Sequence, residues 1–116
     1  MSFTRLYNLI FKEDIITEVL IANKGKFPDN ISVSIAPSQD GGYIVNINEL
    51  PGCITQAENG KEIFEMVNDA LYAYFEVPKD YQPFMPVFFP PENERKQFNI
   101  EIPNQYLNKN LVFQRT

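Results

Sequence analysis

Two runs of alternating apolar and polar residues, joined across Asp40-Gly41-Gly42, constrain this chain more than any other feature. Ile31-Ser32-Val33-Ser34-Ile35 puts its apolar side chains on one side, as a strand with one buried face requires. Tyr43, Val45 and Ile47 do the same within Tyr43–Leu50. Asp and Gly between them tolerate the positive φ of a tight connection, so the two runs are expected to pair as an antiparallel hairpin turning at Asp40–Gly42.

The signals that follow are also ordered. Pro51-Gly52 ends the second strand, because proline cannot donate to a ladder and glycine permits a sharp turn. Ile54-Thr55-Gln56-Ala57 is short and strand-like. Asn59-Gly60-Lys61-Glu62 has the arrangement of a capping box, with Asn59 accepting from a first-turn amide. Beyond it Ile63, Phe64, Val67, Ala70, Leu71, Tyr74 and Phe75 step by one, three or four residues, and Lys61, Glu65, Asn68, Asp69 and Glu76 fill the other side. This spacing predicts a helix over Lys61–Val77, stopped by Pro78.

The flanks are less periodic. Apolar residues from Phe3 to Leu20 suit a helix with a break at Glu13-Asp14, although Thr17–Ala22 is β-branched enough for a strand. Asn23–Asn30 holds the breakers Gly25 and Pro28. After the helix, Pro78, Pro83, Pro86, Pro90 and Pro91 alternate with Tyr81, Phe84, Met85, Val87, Phe88 and Phe89, a stretch expected to be extended. Glu92–Lys96 reads as a charged turn, Phe98–Ile102 as a further strand, and the remainder as a short polar tail. Three parts follow: a largely helical N-terminal extension over 1–30, a core over 31–77, and a segment over 78–116 that completes the sheet or a dimer interface.

Fifteen acids against ten bases give a net charge of −5. The bases are scattered, so nothing in the sequence neutralises a phosphate backbone, and DNA binding by this chain alone is not expected. Opposite charge would steer a basic protein partner toward it. Cys53 is the sole cysteine, which excludes an internal disulfide and gives no sign of an oxidising compartment. No apolar run reaches the ~20 residues of a membrane span, and the N-terminus does not read as a signal peptide, so a cytoplasmic protein is expected.

Catalytic constellations are weak. The chain has no histidine, the commonest general base and metal ligand. Cys53 would need an activating base to act as a nucleophile; a buried turn cysteine is the simpler reading. A two-metal nuclease would need converging carboxylates, and of the candidates Asp40, Glu49, Glu58, Glu62 and Asp69, the first fits a turn, Glu62 a cap and Asp69 a polar helix face. No enzyme, metal site or cofactor is expected.

Taken together, Gly42-Tyr43, Leu50-Pro51-Gly52-Cys53, Thr55-Gln56, and Asn59 with Glu62 form an ordered set that resembles the HicB-like antitoxin family over Ile31 to about Val77. Ala57 replaces the family's usual glycine after Thr-Gln, Asn48-Glu49 its proline-containing approach to the turn, and Ile63 its small alanine at the start of the helix. The resemblance implies an α+β domain, a partial RNase H-like fold with a small antiparallel sheet of three to four strands and one main helix across it. It also implies contact with a small, basic, RNA-cleaving HicA-type toxin. Gly42, Tyr43, Leu50, Pro51, Gly52, Cys53, Thr55, Asn59 and Glu62 are then structural motif residues. Tyr43, Tyr81, Phe84, Phe88 and Phe89 are the candidate partner contacts, and a homodimer is expected. Three rivals remain: a DNA-binding autorepressor using Phe98–Ile102 as a ribbon, a divalent-metal nuclease of RNase H-like type, and a structural homomer without any toxin.

Overall fold

The computed structural model describes residues 15–99 and 101–116; the expected helix before residue 15 lies outside them. In chain order the elements are α1 (Thr17–Lys24), β1 (Asn30–Pro37), β2 (Tyr43–Ile47), β3 (Ile54–Ala57), α2 (Gly60–Tyr74), a 3-10 turn (Lys79–Phe84), β4 (Phe88–Phe89), α3 (Glu92–Phe98), a second 3-10 turn (Asn104–Tyr106) and β5 (Asn110–Arg115). The strands form one antiparallel sheet in the order β3-β2-β1-β5-β4. The fold is therefore α+β, as the sequence predicts, with five strands where three to four were expected.

Alternation in the sequence becomes two unlike faces of the sheet. Val33 pairs with Ile47 on one side and Leu111 on the other, Ile35 pairs with Val45, and Ile31 with Phe113. All of these are buried beneath α2, whose inner face supplies Ile63, Val67 and Leu71. Fully burying such side chains contributes about 1.5–3 kcal/mol each, so this layer drives the fold. The other face presents Ser32, Ser34, Asn46, Gln56, Asn110 and Gln114 at strand positions. There Ser34 Oγ lies 3.0 Å from Oδ1 of both Asn48 and Asn110, and the Asn48 amide donates to Asn110.

The hairpin turns where expected, with Gly41 at φ +90° and Gly42 at φ +73°. Leu50-Pro51-Gly52-Cys53 is a type II turn: Cys53 N–H donates to Leu50 O at 3.0 Å, proline occupies the second position and Gly52 the third at φ +78°. Between these turns Glu49 has a structural task. Its carboxylate accepts the Ser32 N–H at 2.8 and 2.9 Å, continuing the β1–β2 ladder past the last residue of β2. Partial burial pushes the Glu49 carboxyl up, but the bonds from Ser32 outweigh it and hold it below its ordinary value. A carboxyl lowered on folding contributes stability above the unfolded value and loses it as pH falls through the folded one. Glu49→Ala should therefore cost about 1 kcal/mol near neutrality, discounted for an exposed site. In paired thermal melts the gap to wild type should close on acidification below the ordinary glutamate range, and a pH-independent gap would remove the charge from the explanation.

Helix α2 is capped as expected, with Glu62 N–H donating to Asn59 Oδ1 at 2.9 Å. It ends at Tyr74, three residues before the predicted stop at Val77. Glu76 enters the left-handed region at φ 53°, and its N–H and that of Val77 return to Ala73 O and Tyr72 O. That is a Schellman closure with Glu in the position glycine usually holds, followed by the buried Val77 and then Pro78.

Thr17–Ala22, which the sequence leaves open between helix and strand, is helical in α1. Three expectations for the flanks are corrected. Lys79–Phe84, within the stretch expected to be extended, forms a 3-10 turn. Glu92–Lys96 is not a turn but most of α3. The described residues of Phe98–Ile102 form no strand. Phe98 ends α3, is fully buried and stacks on Phe64 with ring centroids 5.8 Å apart, and Ile102 is buried too. Alternation there reflects two anchors dropped into the core, one at the end of α3 and one beyond it, not a ladder. The added strand comes from the tail, where β5 lies between β1 and β4.

Candidate functional site

A concavity opens where the hairpin, the end of β3 and the start of α2 meet. It has a volume of about 630 Å³ and is lined by Ser38, Asp40, Gly42, Tyr43, Gln56, Glu58, Glu62 and Met66, among others. The elements explain the gathering. Gly42 packs so closely on the exit of β3 that a Cβ there would sit 2.5 Å from Ala57 O. The next residues, Glu58 and Asn59, lead directly into the cap of α2, and Glu62 lies one turn in. Asp40 stands on the hairpin opposite them. Three carboxylates thus border one hollow beside the phenol of Tyr43 and the thioether of Met66.

Among the described residues no Lys or Arg pairs with them, and the one ion pair is Lys96–Glu92 at 3.5 Å, far along the chain. Several bases are engaged elsewhere. Lys26 Nζ donates to Phe75 O at 2.8 Å, Arg115 donates to Phe27 O at 3.1 Å, and the Arg95 guanidinium sits 4.5 Å from the centre of the Phe89 ring. Such a hollow suits a cationic side chain with an aliphatic stem, since carboxylates attract its head while Tyr43 and Met66 contact the rest. The polar sheet face has no Lys or Arg at its strand positions, so it supplies none of the phosphate neutralisation that nucleic acid binding needs.

The sequence-predicted contacts scatter. Tyr43 lines the hollow. Phe84 is exposed, on the first 3-10 turn. Phe89 is half-buried against Phe64. Tyr81 and Phe88 are corrections, because both are core residues. Phe88 is fully buried, and the Tyr81 hydroxyl accepts the Ile16 N–H at 3.0 Å, tying α1 to the body. Neither offers a surface to a partner of the folded chain. The sequence offers Asp40, Glu58 and Glu62 as metal-ligand candidates, and Asp40 and Glu62 as turn and cap residues, but not as one surface; the signal that could join them is the close-packed Gly42 that brings the hairpin onto β3.

Of the carboxylates weighed for metal chemistry, Asp40, Glu58 and Glu62 border the hollow and the other two lie apart from it. Glu49 is committed to Ser32 across the sheet, and Asp69 is exposed on α2. Among the described residues no three His, Cys, Asp or Glu side chains come together as a metal would need. Cys53 is buried with Sγ 3.9 Å from Ala70 O, and burial pushes its thiol up, away from the thiolate form that reacts. No described helix is long and apolar enough to cross a membrane.

A hairpin, a Leu-Pro-Gly-Cys turn, a short third strand and an Asn-capped helix laid over the sheet define a small α+β domain with an acidic hollow at one end. A UPF0150 protein of Archaeoglobus fulgidus is 39% identical over 51 residues, 44% of this chain and 74% of that protein. A UPF0150 protein of Thermoplasma acidophilum is 38% identical over 55 residues, 47% of this chain and 80% of that protein. The chain belongs to the UPF0150 family. No family model matches it, and no solved structure does.

Proposed function

We propose that this protein is a HicB-like antitoxin-type binding module that acts by contact, masking a small basic RNA-cleaving toxin of the HicA type, and that it is not an enzyme. The observation that carries the reading is the hollow bordered by Asp40, Glu58 and Glu62, none of which is ion-paired to a base among the described residues. An acidic chain with an uncompensated acidic hollow is electrostatically complementary to a basic partner, and a Lys or Arg inserted there would exchange water for a charge-assisted contact. The buried Cys53, its thiol pushed up by burial, supports contact over chemistry. Membership of UPF0150 and the ordered Gly-Tyr, Leu-Pro-Gly-Cys and Asn-cap motifs support the antitoxin type.

The test is co-expression with the product of a short basic reading frame adjacent to the gene. The expected result is a copurifying complex whose affinity falls steeply with salt. Replacing both exposed acids, Asp40→Lys with Glu58→Lys, should weaken it at least tenfold, about 1.4 kcal/mol or more, with the thermal midpoint of the free protein unchanged. A complex indifferent to that double reversal would place the contact elsewhere, and no complex at all would end the antitoxin reading.

A further inference from the structure

The sheet has two edges, and they are finished differently. At the β4 edge, Val87 is bonded to Thr116 on the inner side, with Thr116 N–H donating to Val87 O at 2.9 Å. The next residue, Phe88, therefore turns its backbone groups outward. Both are occupied: the Asn68 amide accepts the Phe88 N–H at 2.8 Å and donates to Phe88 O at 3.1 Å. Pro86, Pro90 and Pro91 bracket the same strand. That edge is closed to any further strand.

The β3 edge has none of these devices. Ile47 N–H donates to Cys53 O at 3.0 Å, which sets the phase of the β2–β3 ladder. Thr55 and Ala57 then face β2, opposite Val45 and Tyr43, and the N–H and C=O groups of Ile54 and Gln56 point away from the sheet. No Lys, Pro or bulge interrupts the strand, though these are the usual guards of an exposed edge. The Ile54 side chain is 60% exposed.

We infer that a second copy of the chain pairs along this edge, β3 antiparallel to β3, with Thr55 on the two-fold axis. The sequence is self-complementary in that register. Ile54 exchanges both backbone bonds with Gln56 of the second copy, and Gln56 does so with its Ile54. Thr55 meets its own counterpart in a non-hydrogen-bonded pair, an arrangement in which Thr–Thr contacts are favourable. Glu58 falls opposite Gly52, so no carboxylate is set against another. The exposed methyls of Ile54 come to rest beside Gln56 of the second copy, next to its exposed Ile44. Because the other edge is sealed by Asn68, pairing stops at a closed dimer and does not propagate as a filament. The inference is independent of any toxin. An edge this short buries less than the ~1,200 Å² of a stable complex, so a dissociation constant on the order of micromolar is expected.

Sedimentation of the full chain from about 1 to about 200 µM tests it. A monomer–dimer equilibrium is expected. Ile54→Lys on an exposed side chain, and Gln56→Pro at an outward amide, should each weaken it at least tenfold without moving the unfolding midpoint appreciably. Thr55→Cys should oxidise to a covalent dimer, since two-fold related Cβ atoms in such a pair lie within disulfide reach, while Gln56→Cys and the wild type with its buried Cys53 should not. A wild-type monomer at the highest concentration overturns the inference. So does a dimer that survives Ile54→Lys and Gln56→Pro and is not cross-linked through Thr55→Cys.

Discussion

Replacing Asn68 with Ala is expected to cost about 4 kcal/mol of folding stability, far more than its position among polar helix residues would suggest. Its side chain is buried and makes three bonds: from Nδ2 to Phe64 O at 2.7 Å, from Nδ2 to Phe88 O at 3.1 Å, and from Phe88 N–H to Oδ1 at 2.8 Å. Truncation leaves the outward N–H and C=O of Phe88 without partners in the interior. Each unsatisfied buried group costs about 1–3 kcal/mol, to which the lost packing adds. Urea unfolding should show a lower midpoint at unchanged slope, and the Phe88 amide should lose hydrogen-exchange protection. Asn68→Asp gives a second readout. Its carboxylate can still accept from Phe88 N–H but turns oxygen toward two carbonyls, so burial and that repulsion raise its folded value. Its deficit should be largest at neutral pH and shrink as acid protonates it, whereas the Ala deficit should not follow that profile. A loss under about 1 kcal/mol for Asn68→Ala would mean that β4 is held by its packing and its pairing with β5 and not by Asn68.

Asn68 also marks where sequence reasoning reaches its limit. Local order was legible because each piece depends on neighbours in sequence: the Asp40–Gly42 hairpin, the strand Ile54–Ala57, the Asn59 cap and the Leu50–Cys53 turn all lie where their residues put them. Asn68 falls on the polar side of α2 by periodicity, and what buries it is a two-residue strand arriving from twenty positions away. The stop of α2 was misjudged for a local reason. Pro78 forbids continuation, but Glu76 adopts a left-handed conformation that composition does not favour, and the helix closes early.

The C-terminal part was misread because short alternation does not distinguish a strand from a helix end and a following residue that each bury one anchor. Phe98 and Ile102 are such anchors, and Gly60 lets the chain come near enough to reach them: a Cβ on Gly60 would sit 2.4 Å from Phe98 O. The strand that is present, β5, buries only Leu111 and Phe113 among exposed neighbours and so resembles a tail. Its place beside β1 comes from long-range pairing. Aromatic density misled the site reading in the same way. A proline-rich aromatic stretch signals apolar burial without saying against what, and here Tyr81 and Phe88 are spent on the chain's own core.

Gly42→Ala should cost about 3 kcal/mol and should also disable the acidic hollow. Gly41 provides the internal control. Both glycines have positive φ, +90° and +73°, so an alanine at either meets a backbone penalty of about 1–2 kcal/mol. A Cβ at Gly41 would meet nothing within 4 Å, whereas at Gly42 it would lie 2.5 Å from Ala57 O and 3.2 Å from Glu58 Cα. Those neighbours are backbone and cannot rotate aside, so relief requires the hairpin to lift off the end of β3, with overpacking of about 1–3 kcal/mol. Lifting it carries Asp40 away from Glu58 and Glu62 and opens the hollow on one side. Gly41→Ala should therefore lower stability by the smaller amount and leave affinity for a basic partner intact, while Gly42→Ala should lower both, with affinity measured at a temperature where each variant is folded. Equal destabilisation by the two substitutions would mean that the close approach of hairpin to β3 does not exist, and the geometry that gathers Asp40, Glu58 and Glu62 would go with it.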